Sequence, residues 1–415
     1  MNLIYNITSE LTQKLLPLSG FFSPKMKLFV EGRKKSFDLI SSKLSKNDRV
    51  IWFHCASLGE FEQGRPILEE VKNSFPQHKI VLTFFSPSGY EVRKSYPLAD
   101  VICYLPIDTL SNAKKFIELT HPEMAIFVKY EFWPNYLGEL KRQKINTILV
   151  SGIFRQEQLF FKNYGAWMKK SLETFSHFFV QNTTSANLLK TVGFKNVTVS
   201  GDTRFDRVAD ISKQDNHLSF IEQFKQNKFT VVAGSTWPEG EALLISYINH
   251  QSTENEKFII APHNVTPKTI DEIKKALKKE IVQFSDQKNL ETAQVFIVDT
   301  VGILTKIYSY GDAAYVGGGF GTSGLHNVLE PAAFGIPILI GPNFDKFEEA
   351  KDLVQLGACQ VITDQKTTNH TLSILREDQN LRLSKGEKAR KYVEEHTGAT
   401  AIIVKYLKEN ISHNA

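Results

Sequence analysis

The chain has 415 residues, of which 42% are hydrophobic and 23% are charged, and its formal net charge at pH 7 is +5. This is the composition of an ordinary globular protein, and the length exceeds what one hydrophobic core usually serves, so we expect two domains. The charge is mild and no long basic block occurs, which argues against a nucleic-acid-binding protein and favours small anions or a lipid surface as partners.

Residues 1–30 are predicted to form an amphipathic, membrane-proximal segment. The apolar stretch 11–22 is interrupted by Lys14 and Pro17, so it is too broken for a membrane-spanning helix of about 20 apolar residues, and it lacks the layout of a cleavable signal. The surrounding basic residues are Lys14, Lys25, Lys27, Arg33, Lys34 and Lys35. Two interpretations are open: the segment rests on an anionic membrane face, or it is a helix packed on its own domain.

From residue 49 onward, short apolar runs alternate with helical patterns such as 61–75 and 112–119. The first predicted strands are 50–54, 80–84, 101–105, 124–128, 147–151 and 178–181. A second series comprises 230–233, 257–261, 295–298, 313–316 and 337–341. Strands that alternate with helices are typical of parallel sheets. We therefore predict an α/β protein with two doubly wound, Rossmann-like domains and a cleft between them.

The predicted domain boundaries follow from this alternation. The segments are the membrane-proximal region 1–30, a first domain 31–205, a polar linker 206–228, a second domain 229–395, and a C-terminal helix 396–415 that can return to the first domain. In open parallel sheets, ligands bind beyond the carboxyl ends of the strands. The loops at those ends are therefore the candidates for chemistry.

Two loops of the first domain carry acidic side chains. One is His54-Cys-Ala-Ser-Leu-Gly-Glu60, between a strand and a helix. Its Glu60 can take a proton from an attacking hydroxyl, or it can be a helix-start carboxylate favoured by the helix dipole. The other is Lys129-Tyr-Glu-Phe-Trp-Pro134, which directly follows a strand. Two interpretations are open for this loop. Its charged residues lie at the rim of the sheet, or Trp133 and Pro134 simply pack over the adjoining helix.

Two further loops can meet a phosphate. Before the linker, Arg204 can neutralise a phosphate or pair with Asp202 or Asp206 in a surface salt bridge. After the first strand of the second domain, Ser235 and Thr236 can touch phosphate or cap the next helix.

The most informative segment is the glycine-rich block 317–342, Gly-Gly-Gly-Phe-Gly-Thr-Ser-Gly-Leu-His-Asn-Val-Leu-Glu-Pro-Ala-Ala-Phe-Gly-Ile-Pro-Ile-Leu-Ile-Gly-Pro. It follows a predicted strand, and His326 and Asn327 open a short helix that carries Glu330 and ends at Gly335. Free N–H groups and the dipole at a helix N-terminus favour an anion. The block therefore predicts a phosphate and ribose site.

A dinucleotide site is an alternative for the same block. Gly319, Gly321 and Gly324 match G-x-G-x-x-G after a strand, and acidic residues occur roughly 20 positions further on, as that fingerprint requires. The fingerprint needs a long helix that starts within the glycines, whereas the helix predicted here starts near Asn327 and is short. A single nucleotide fits this pattern better than two.

The three cysteines, Cys55, Cys103 and Cys359, are far apart and match neither a disulfide framework nor zinc-ligand spacing. No H-E-x-x-H, P-loop or Asp-x-Asp pattern occurs. We expect a reducing compartment and no metal held by a dedicated motif.

Taken in order, these motifs resemble the 3-deoxy-D-manno-octulosonic acid (Kdo) transferases of lipopolysaccharide assembly, from about residue 32 to residue 398. The matching motifs are H-x-x-S-x-G-E, E-F-W-P-N, G-x-x-[KR]-F-D, S-T-W-P-E-G-E, D-T-x-G and G-G-x-F-x-x-x-G-x-H-N-x-L-E-P-A-A-F-G-x-P. The resemblance implies a glycosyltransferase B fold, CMP-Kdo as donor and no cofactor. It also implies the lipid A precursor as acceptor at the cytoplasmic face of the inner membrane, reached by a peripheral or N-terminally anchored protein.

The resemblance also assigns roles to residues. Glu60 stands at the family's general base for an inverting attack, and Glu330 is suited to accept hydrogen bonds from ribose hydroxyls. The CMP leaves without protonation, as an anion received by positive groups and N–H donors, so no metal is required. The residues implied to bind CMP are Pro262, His263, Val301, Gly302, Ile303, Gly318, Gly319, Asn327, Val328, Leu329 and Glu330.

Several positions depart from the family pattern. Lys129 stands where the family often has the first Glu of Glu-Thr-Glu, and Glu131 matches the second. Arg204 replaces a lysine, His263 replaces a CMP-contacting arginine, and Val328 replaces a proline. The residues implied to act in catalysis are Glu60, Arg204, Lys129 and Glu131.

Two other functions remain as alternatives. One is a glycosyltransferase B enzyme that uses a UDP-sugar. The other is a non-catalytic nucleotide-binding or dehydrogenase-like protein, which only the glycine spacing favours.

Overall fold

The computed structural model describes residues 2–21, 23–322 and 324–411, and the chain divides into two compact units. Unit 1 comprises Met1–Asp206 and Thr397–Ala415, and unit 2 comprises Arg207–His396. Phe22 of the predicted membrane-proximal segment and Ser323 of the glycine-rich block lie outside the described residues, as do Met1 and residues 412–415.

Unit 1 is built on a seven-stranded sheet of order β3-β2-β1-β4-β5-β6-β7, with every neighbouring pair parallel. The strands are β1 (Val50–Cys55), β2 (Lys79–Phe84), β3 (Val101–Tyr104), β4 (Met124–Val128), β5 (Asn146–Gly152), β6 (His177–Val180) and β7 (Val197–Val199). The helices are α1 (Asn2–Ser19), α2 (Pro24–Lys34), α3 (Ser36–Lys43), α4 (Leu58–Ser74), α5 (Pro87–Arg93), α6 (Leu110–Thr120), α7 (Pro134–Arg142), α8 (Ala166–Leu172) and α9 (Thr183–Thr191).

Unit 2 is built on a second seven-stranded parallel sheet, of order β10-β11-β9-β8-β12-β13-β14. Its strands are β8 (Phe229–Thr236), β9 (Glu256–Pro262), β10 (Ile281–Gln283), β11 (Val295–Ile297), β12 (Ala313–Val316), β13 (Ile338–Ile340) and β14 (Cys359–Val361). The remaining helices are α10 (Thr203–Lys213), α11 (Ser219–Lys225), α12 (Pro238–His250), α13 (Pro267–Ala276), α14 (Leu304–Ile307), α15 (Leu329–Ala333), α16 (Glu348–Gln355), α17 (Gln365–Glu377), α18 (Gln379–Glu395) and α19 (Ala399–Ile411).

Each sheet is covered on both faces, as β1 illustrates. Trp52 packs into one hydrophobic core and the next residue, Phe53, packs into the other, and both side chains are fully buried. Successive side chains of a strand point to opposite faces, so a strand buried on both faces is a continuous apolar run. This is why apolar runs, rather than alternation, marked the strands in the sequence.

The predicted strands are all present, and three others were not predicted. The unpredicted strands β7, β10 and β14 each have three residues and lie at sheet edges. A run this short carries too little pattern to be distinguished from a loop. The two parallel sheets confirm the predicted α/β fold class.

The polar stretch 206–228, predicted as a linker, is largely helical. Helix α10 begins in unit 1 and ends in unit 2, and α11 follows it. The last helix, α19, packs against α4 in unit 1. Asp206 accepts a hydrogen bond from the Thr400 N–H at 2.6 Å, which satisfies one of the free donors at the start of α19.

The N-terminal helix α1 packs on its own domain, which is one of the two interpretations of its segment. It is held to unit 1 through the Tyr5 hydroxyl, which donates to Asp108 Oδ2 at 2.7 Å, and through the buried Ser9. Its exposed apolar side chains are Leu3, Ile4, Ile7, Leu11, Leu15 and Leu18. Among the described residues, no helix has the length and apolar character that crossing a membrane requires.

Arg33 does not belong to the basic surface predicted around this segment. Its side chain is buried, and it donates to the backbone carbonyls of Leu105, Phe85 and Phe29. The guanidinium carbon lies 3.5 Å from the ring centroid of Phe29. Arg33 therefore fastens α2 to the sheet, and the prediction that it faces a membrane is wrong.

Candidate active site

Glu60 lies in the first turn of α4, just beyond the carboxyl end of β1. Ser57 caps this helix: its N–H donates to Glu60 Oε2 at 2.9 Å, and the Glu60 N–H donates to Ser57 Oγ at 3.5 Å. Glu60 is only 4% exposed. Burial and the charge of Glu131 raise its pKa to about 7, while backbone N–H donors and the Lys129 ammonium act in the opposite direction. Glu60 is thus a helix-start carboxylate, and its pKa also suits a general base near neutral pH.

Glu131 follows β4 and forms a buried polar network with a histidine of β1. The Trp133 indole N–H lies 2.9 Å from Glu131 Oε2 and 3.1 Å from His54 Nε2, and the His54 Nε2 to Glu131 Oε2 distance is 3.5 Å. The other ring nitrogen, His54 Nδ1, lies 2.9 Å from the Thr83 hydroxyl on β2. We call Glu60, Glu131 and His54 the carboxylate cluster. Trp133 therefore has a polar function in addition to packing.

Lys129 brings a positive charge to the carboxylate cluster. It is the first residue after β4 and has φ of +72°, a left-handed conformation that is uncommon for a residue with a side chain. Its ammonium lies 5.2 Å from the ring centroid of Tyr130, and its charge lowers the pKa of Glu60. A cation at this position acts on the candidate base, whereas a glutamate would add a further negative charge.

Arg204 is bound to a buried carboxylate rather than to a surface one. Its Nε donates to Asp202 Oδ2 at 2.8 Å, and Asp202 is 7% exposed. Asp202 also accepts from Gln63 Nε2 at 3.2 Å, and Gln63 lies on α4 beyond Glu60. Asp202 thus compensates the charge of Arg204 and ties it to the helix that carries Glu60. The salt bridge with Asp202 that was considered as an alternative is present, but its carboxylate is buried and not at the surface.

In unit 2, the glycine-rich block does not form the helix that a dinucleotide fingerprint requires. Among the described residues of 317–328 there is no helix, and α15 has only five residues. The first N–H of α15, that of Leu329, already donates to Asn327 Oδ1 at 3.1 Å. A single turn also has a small dipole, so the N-terminus of α15 is a weaker anion site than the sequence predicted.

The glycines of this block are required by close backbone packing. Gly318 has φ of +93°, and a Cβ placed there would lie 2.0 Å from the carbonyl oxygen of Gly324. The Gly319 carbonyl accepts the Asn343 N–H at 2.7 Å, from the loop after β13. Gly318 and Gly319 thus let the loop fold back tightly, and both are buried.

The structure brings together Asn327 and Glu330, both of which were predicted to bind CMP, and adds Thr305. The Asn327 amide donates to Glu330 Oε1 at 3.2 Å, and the Thr305 hydroxyl donates to Glu330 Oε2 at 2.9 Å. Burial raises the pKa of Glu330, and these two donors and the charge of Arg207 oppose that rise. A partly exposed carboxylate therefore stands in a fixed orientation at the start of α15.

The other predicted CMP-binding residues differ in what they can offer a ligand. Val328 and Leu329 are buried in the core, so only their backbone is available. Val301 is 79% exposed, Gly302 has φ of +93°, and Ile303 caps α14, the helix that carries Thr305. Residues 301–303 lead into α14, and Thr305 of that helix hydrogen-bonds to Glu330, so α14 connects the 301–303 segment to Glu330.

Three rings stack at the carboxyl ends of β8, β9 and β12. The Trp237 and His263 ring centroids are 4.7 Å apart, those of His263 and His326 are 4.6 Å apart, and the Trp237 N–H donates to His326 Nε2 at 2.9 Å. Burial and the nearby His263 lower the pKa of His326 to about 4, and burial also lowers the pKa of His263. We call these three residues the imidazole cluster. Pro262, at the buried end of β9, positions it.

The prediction that Ser235 or Thr236 caps the helix after β8 is wrong. Trp237 is the residue before α12 and makes no side-chain capping bond. The Thr236 hydroxyl instead donates to Glu241 Oε1 at 2.5 Å.

Sequence reasoning gave no role to His54, Trp237, Thr305 or Arg207. For His54 a signal existed: it is the one ionisable ring in the otherwise apolar run Val-Ile-Trp-Phe-His-Cys of β1. The partners of the other three come from distant segments and left no local pattern. Among the described residues, no group of three His, Cys, Asp or Glu side chains is arranged to hold a metal ion.

Comparison with known proteins agrees with the motifs. Residues 31–207 match the family model described as 3-Deoxy-D-manno-octulosonic-acid transferase (kdotransferase). The 3-deoxy-D-manno-octulosonic acid transferase of Aquifex aeolicus (strain VF5) is 32% identical over 309 residues, which are 74% of this chain and 80% of that protein.

Solved structures show the same fold at much lower identity. UDP-GlcNAc 2-epimerase from Neisseria meningitidis aligns with a TM-score of 0.60 and 14% identity, over 87% of this chain and all of that chain. MurG from Acinetobacter baumannii aligns with a TM-score of 0.55 and 10% identity, over 87% of this chain and 99% of that one. The predicted glycosyltransferase B fold is thereby confirmed. Since this fold also occurs in an epimerase, the sequence relatives rather than the fold define the family. The chain belongs to the 3-deoxy-D-manno-octulosonic acid transferase family.

Proposed function

We propose that the protein transfers Kdo from CMP-Kdo to a sugar hydroxyl of the lipid A precursor, with inversion at the anomeric carbon and with Glu60 as general base. The observation that carries this proposal is the buried Glu60 carboxylate, whose pKa of about 7 lets it exist as a base and accept a proton at neutral pH. Family membership supplies the reaction class.

The chemistry at unit 1 is a single displacement. Glu60 accepts the proton of the acceptor hydroxyl as the oxygen attacks the anomeric carbon of Kdo, and the bond from that carbon to the CMP phosphate oxygen breaks. The bonding electrons leave with the phosphate, so CMP departs as an anion without needing a proton. Lys129, close enough to lower the pKa of Glu60, favours the carboxylate form of the base before transfer.

The proposed donor site lies in unit 2. Each oxygen of Glu330 already accepts one hydrogen bond, from Asn327 or Thr305, and keeps a further lone pair that can accept from a ribose hydroxyl. Because both oxygens are held by donors, the carboxylate is oriented before the nucleotide arrives. The backbone of residues 301–303 and of the glycine-rich block can approach the nucleotide closely, since Gly302 and Gly318 carry no side chain.

His263 and Arg204 are the proposed phosphate contacts, and neither is a free permanent cation. His263 is exposed and neutral at pH 7, because burial of part of its ring lowers its pKa. Arg204 is charged but is bound to Asp202. Anion binding would therefore draw a proton onto His263 and would compete with Asp202 for Arg204. Both changes make the phosphate contact weaker than one formed by an uncompensated arginine.

We further propose that the protein works at the inner membrane surface, on its cytoplasmic side, as a peripheral protein. The exposed apolar side chains of α1 recur at helical spacing on the face opposite to Ser9. Flotation with anionic vesicles tests this: Leu11→Lys should reduce binding, whereas Leu383→Lys, at a leucine of unit 2 that is also exposed, should not. Equal flotation of both variants and the unmodified protein would contradict docking through α1.

The decisive test of the function is direct. Incubation of the protein with CMP-Kdo and the tetraacyl lipid A precursor should release CMP and add the mass of one or more Kdo units to the lipid. The reaction should proceed in EDTA, since CMP departure is proposed to need no metal. Absence of turnover on any such acceptor would refute the proposal.

A UDP-sugar donor is the alternative that one observation favours, because solved relatives in fold include an epimerase bound to UDP-GlcNAc. Protection against thermal unfolding separates the candidates. CMP should raise the melting temperature, and UDP and NAD should not. Stronger protection by UDP would favour the alternative.

A further inference from the structure

His54 is a buried titratable side chain to which the proposed reaction assigns no step. We propose that His54 and Glu131 share one proton between Nε2 and Oε2, so that the pair is neutral in sum and leaves Glu60 as the ionised carboxylate of the cluster. His54 is then a positioning residue, because it acts on the reaction through Glu131 and Glu60. This inference rests on the proposed function of Glu60 as a base.

In the proposed arrangement, the Thr83 hydroxyl is the partner of the first proton of His54. Thr83 Oγ1 accepts the Trp52 indole N–H at 2.8 Å and donates its own proton to the Phe53 carbonyl at 3.3 Å. Thr83 Oγ1 lies 2.9 Å from His54 Nδ1, and in the proposed arrangement its remaining lone pair accepts a proton carried by that nitrogen. The proposed tautomer thus depends on three residues of β1 and β2.

On the other side of the His54 ring there are more hydrogen-bond acceptors than protons, unless one proton is added. The Trp133 indole has a single N–H, placed between His54 Nε2 at 3.1 Å and Glu131 Oε2 at 2.9 Å. These two acceptors are 3.5 Å apart, and His54 is completely buried. Two buried lone pairs facing each other without a proton are costly, and an ionised carboxylate out of water is costly as well. One shared proton removes both penalties.

The charge of Glu131 matters because it faces Glu60. The charged side chains that act on the pKa of Glu60 are Glu131, which raises it, and Lys129, which lowers it. The neighbouring Cys55 and Tyr130 have raised pKa values and stay neutral at pH 7. A proton held by His54 and Glu131 therefore weakens the strongest negative neighbour of Glu60. Without this shared proton, Glu60 would be protonated in a larger fraction of molecules at neutral pH.

The simpler explanation is that His54 only fills space. Its ring centroid lies 6.2 Å from that of Trp52 and 5.6 Å from that of Phe127, as in an aromatic core. A packing role predicts that replacing His54 lowers activity equally at every pH. The shared proton predicts a change in the pH dependence, which separates the two explanations.

The experiment is the pH profile of kcat/KM for His54→Gln, Glu131→Gln and the double variant. In His54→Gln, Glu131 faces Glu60 as a full charge, so the acid limb should move up by about one pH unit. Adding Glu131→Gln to that variant should move the limb back. Glu131→Gln alone should shift it by less than about half a unit, whatever it does to kcat, because the pair was already neutral. Trp133→Phe, which removes a donor but no titrating group, is the matched control.

Either of two results would overturn the inference. One is an unchanged acid limb in His54→Gln, and the other is a downward shift of a full unit or more in Glu131→Gln alone. If His54→Gln does not fold, the Glu131→Gln profile still decides. If the protein shows no turnover at all, the proposed function fails separately. The pH dependence of thermal unfolding, compared between Glu60 and Glu60→Gln in each background, then still reports the pKa of Glu60.

Discussion

Burial shifts pKa values in opposite directions in the carboxylate cluster of unit 1 and the imidazole cluster of unit 2. In unit 1, chiefly burial raises the pKa of Glu60 to about 7, whereas in unit 2 chiefly burial lowers the pKa of His326 to about 4. Both shifts favour the neutral form, as desolvation requires. The result is an acid that titrates near physiological pH and an imidazole that does not.

We infer from this difference that the two clusters have different functions. A carboxylate that changes its proton near pH 7 suits proton transfer. A neutral imidazole that accepts a hydrogen bond from Trp237 suits a binding surface. The exposed His263 is the member of this cluster whose protonated form a bound anion can stabilise. We therefore expect substitutions in unit 1 to act on the chemical step and substitutions in unit 2 to act on donor binding.

The largest expected effect is that of Glu60→Gln. Glutamine preserves the helix cap but cannot accept a proton, so kcat should fall by about 10²–10⁴-fold while CMP binding stays unchanged. Steady-state kinetics and calorimetric titration with CMP measure the two quantities. Glu70→Gln, at an exposed position on the same helix, is the control and should behave as the unmodified protein. Full activity in Glu60→Gln would remove this residue as the base.

In unit 2, Glu330→Gln should weaken donor binding without changing the chemical step. It removes the charge from the proposed ribose contact, so we expect CMP affinity to fall by about 10-fold, as for the loss of one charge-assisted hydrogen bond. The acid limb of the pH profile should stay in place, because Glu330 is not the base. The control is Glu348→Gln on the surface of α16. A moved limb with unchanged CMP affinity would contradict the division between the units.

The pH dependence of donor binding tests the imidazole cluster. Free His263 is neutral at pH 7 because its pKa is lowered, and a bound phosphate would raise that pKa, so CMP should bind with proton uptake and more tightly as pH falls from 8 to 6. Calorimetry in buffers of different ionisation enthalpy measures the proton. In His263→Arg the uptake should disappear and affinity should rise several-fold at pH 8. Unchanged proton uptake in that variant would assign it to another group.

The smallest expected effects are on stability, and they have opposite signs in the two clusters. The folded pKa of Glu60 lies above the unfolded value, so stability falls as pH rises from about 4.5 through 7, and Glu60→Gln should raise the melting temperature at pH 8 but not at pH 4. The folded pKa of His326 lies below the unfolded value, so stability falls as pH drops from about 6.5 to 4. His326→Asn should therefore stabilise only at acid pH. If both variants raised the melting temperature at the same end of the pH range, the comparison would be refuted.

The sequence by itself determined the α/β fold, most strand positions and the family. These rest on local patterns: apolar runs of strands buried on both faces, and motifs whose members lie a few residues apart. The edge strands β7, β10 and β14 escaped prediction because three residues carry no period. The dinucleotide spacing of the glycines reports a turn and not the helix after it, and the short α15 agrees with the sequence-based preference for a single nucleotide.

Only the tertiary structure decided which charges meet. The partners of Glu60 and Arg33 come from other segments: Glu131 from the loop after β4, and the carbonyls of Phe85 and Leu105. Arg204 pairs with the nearby Asp202, and only the structure shows that Gln63 of α4 also donates to that carboxylate. Burial and distance set their pKa values and their availability, and neither quantity is written in a local pattern. Glu60 could thus be located from its motif, whereas its pKa, and the His54 that we propose controls it, follow from the way β1, β2 and β4 lie side by side in one sheet.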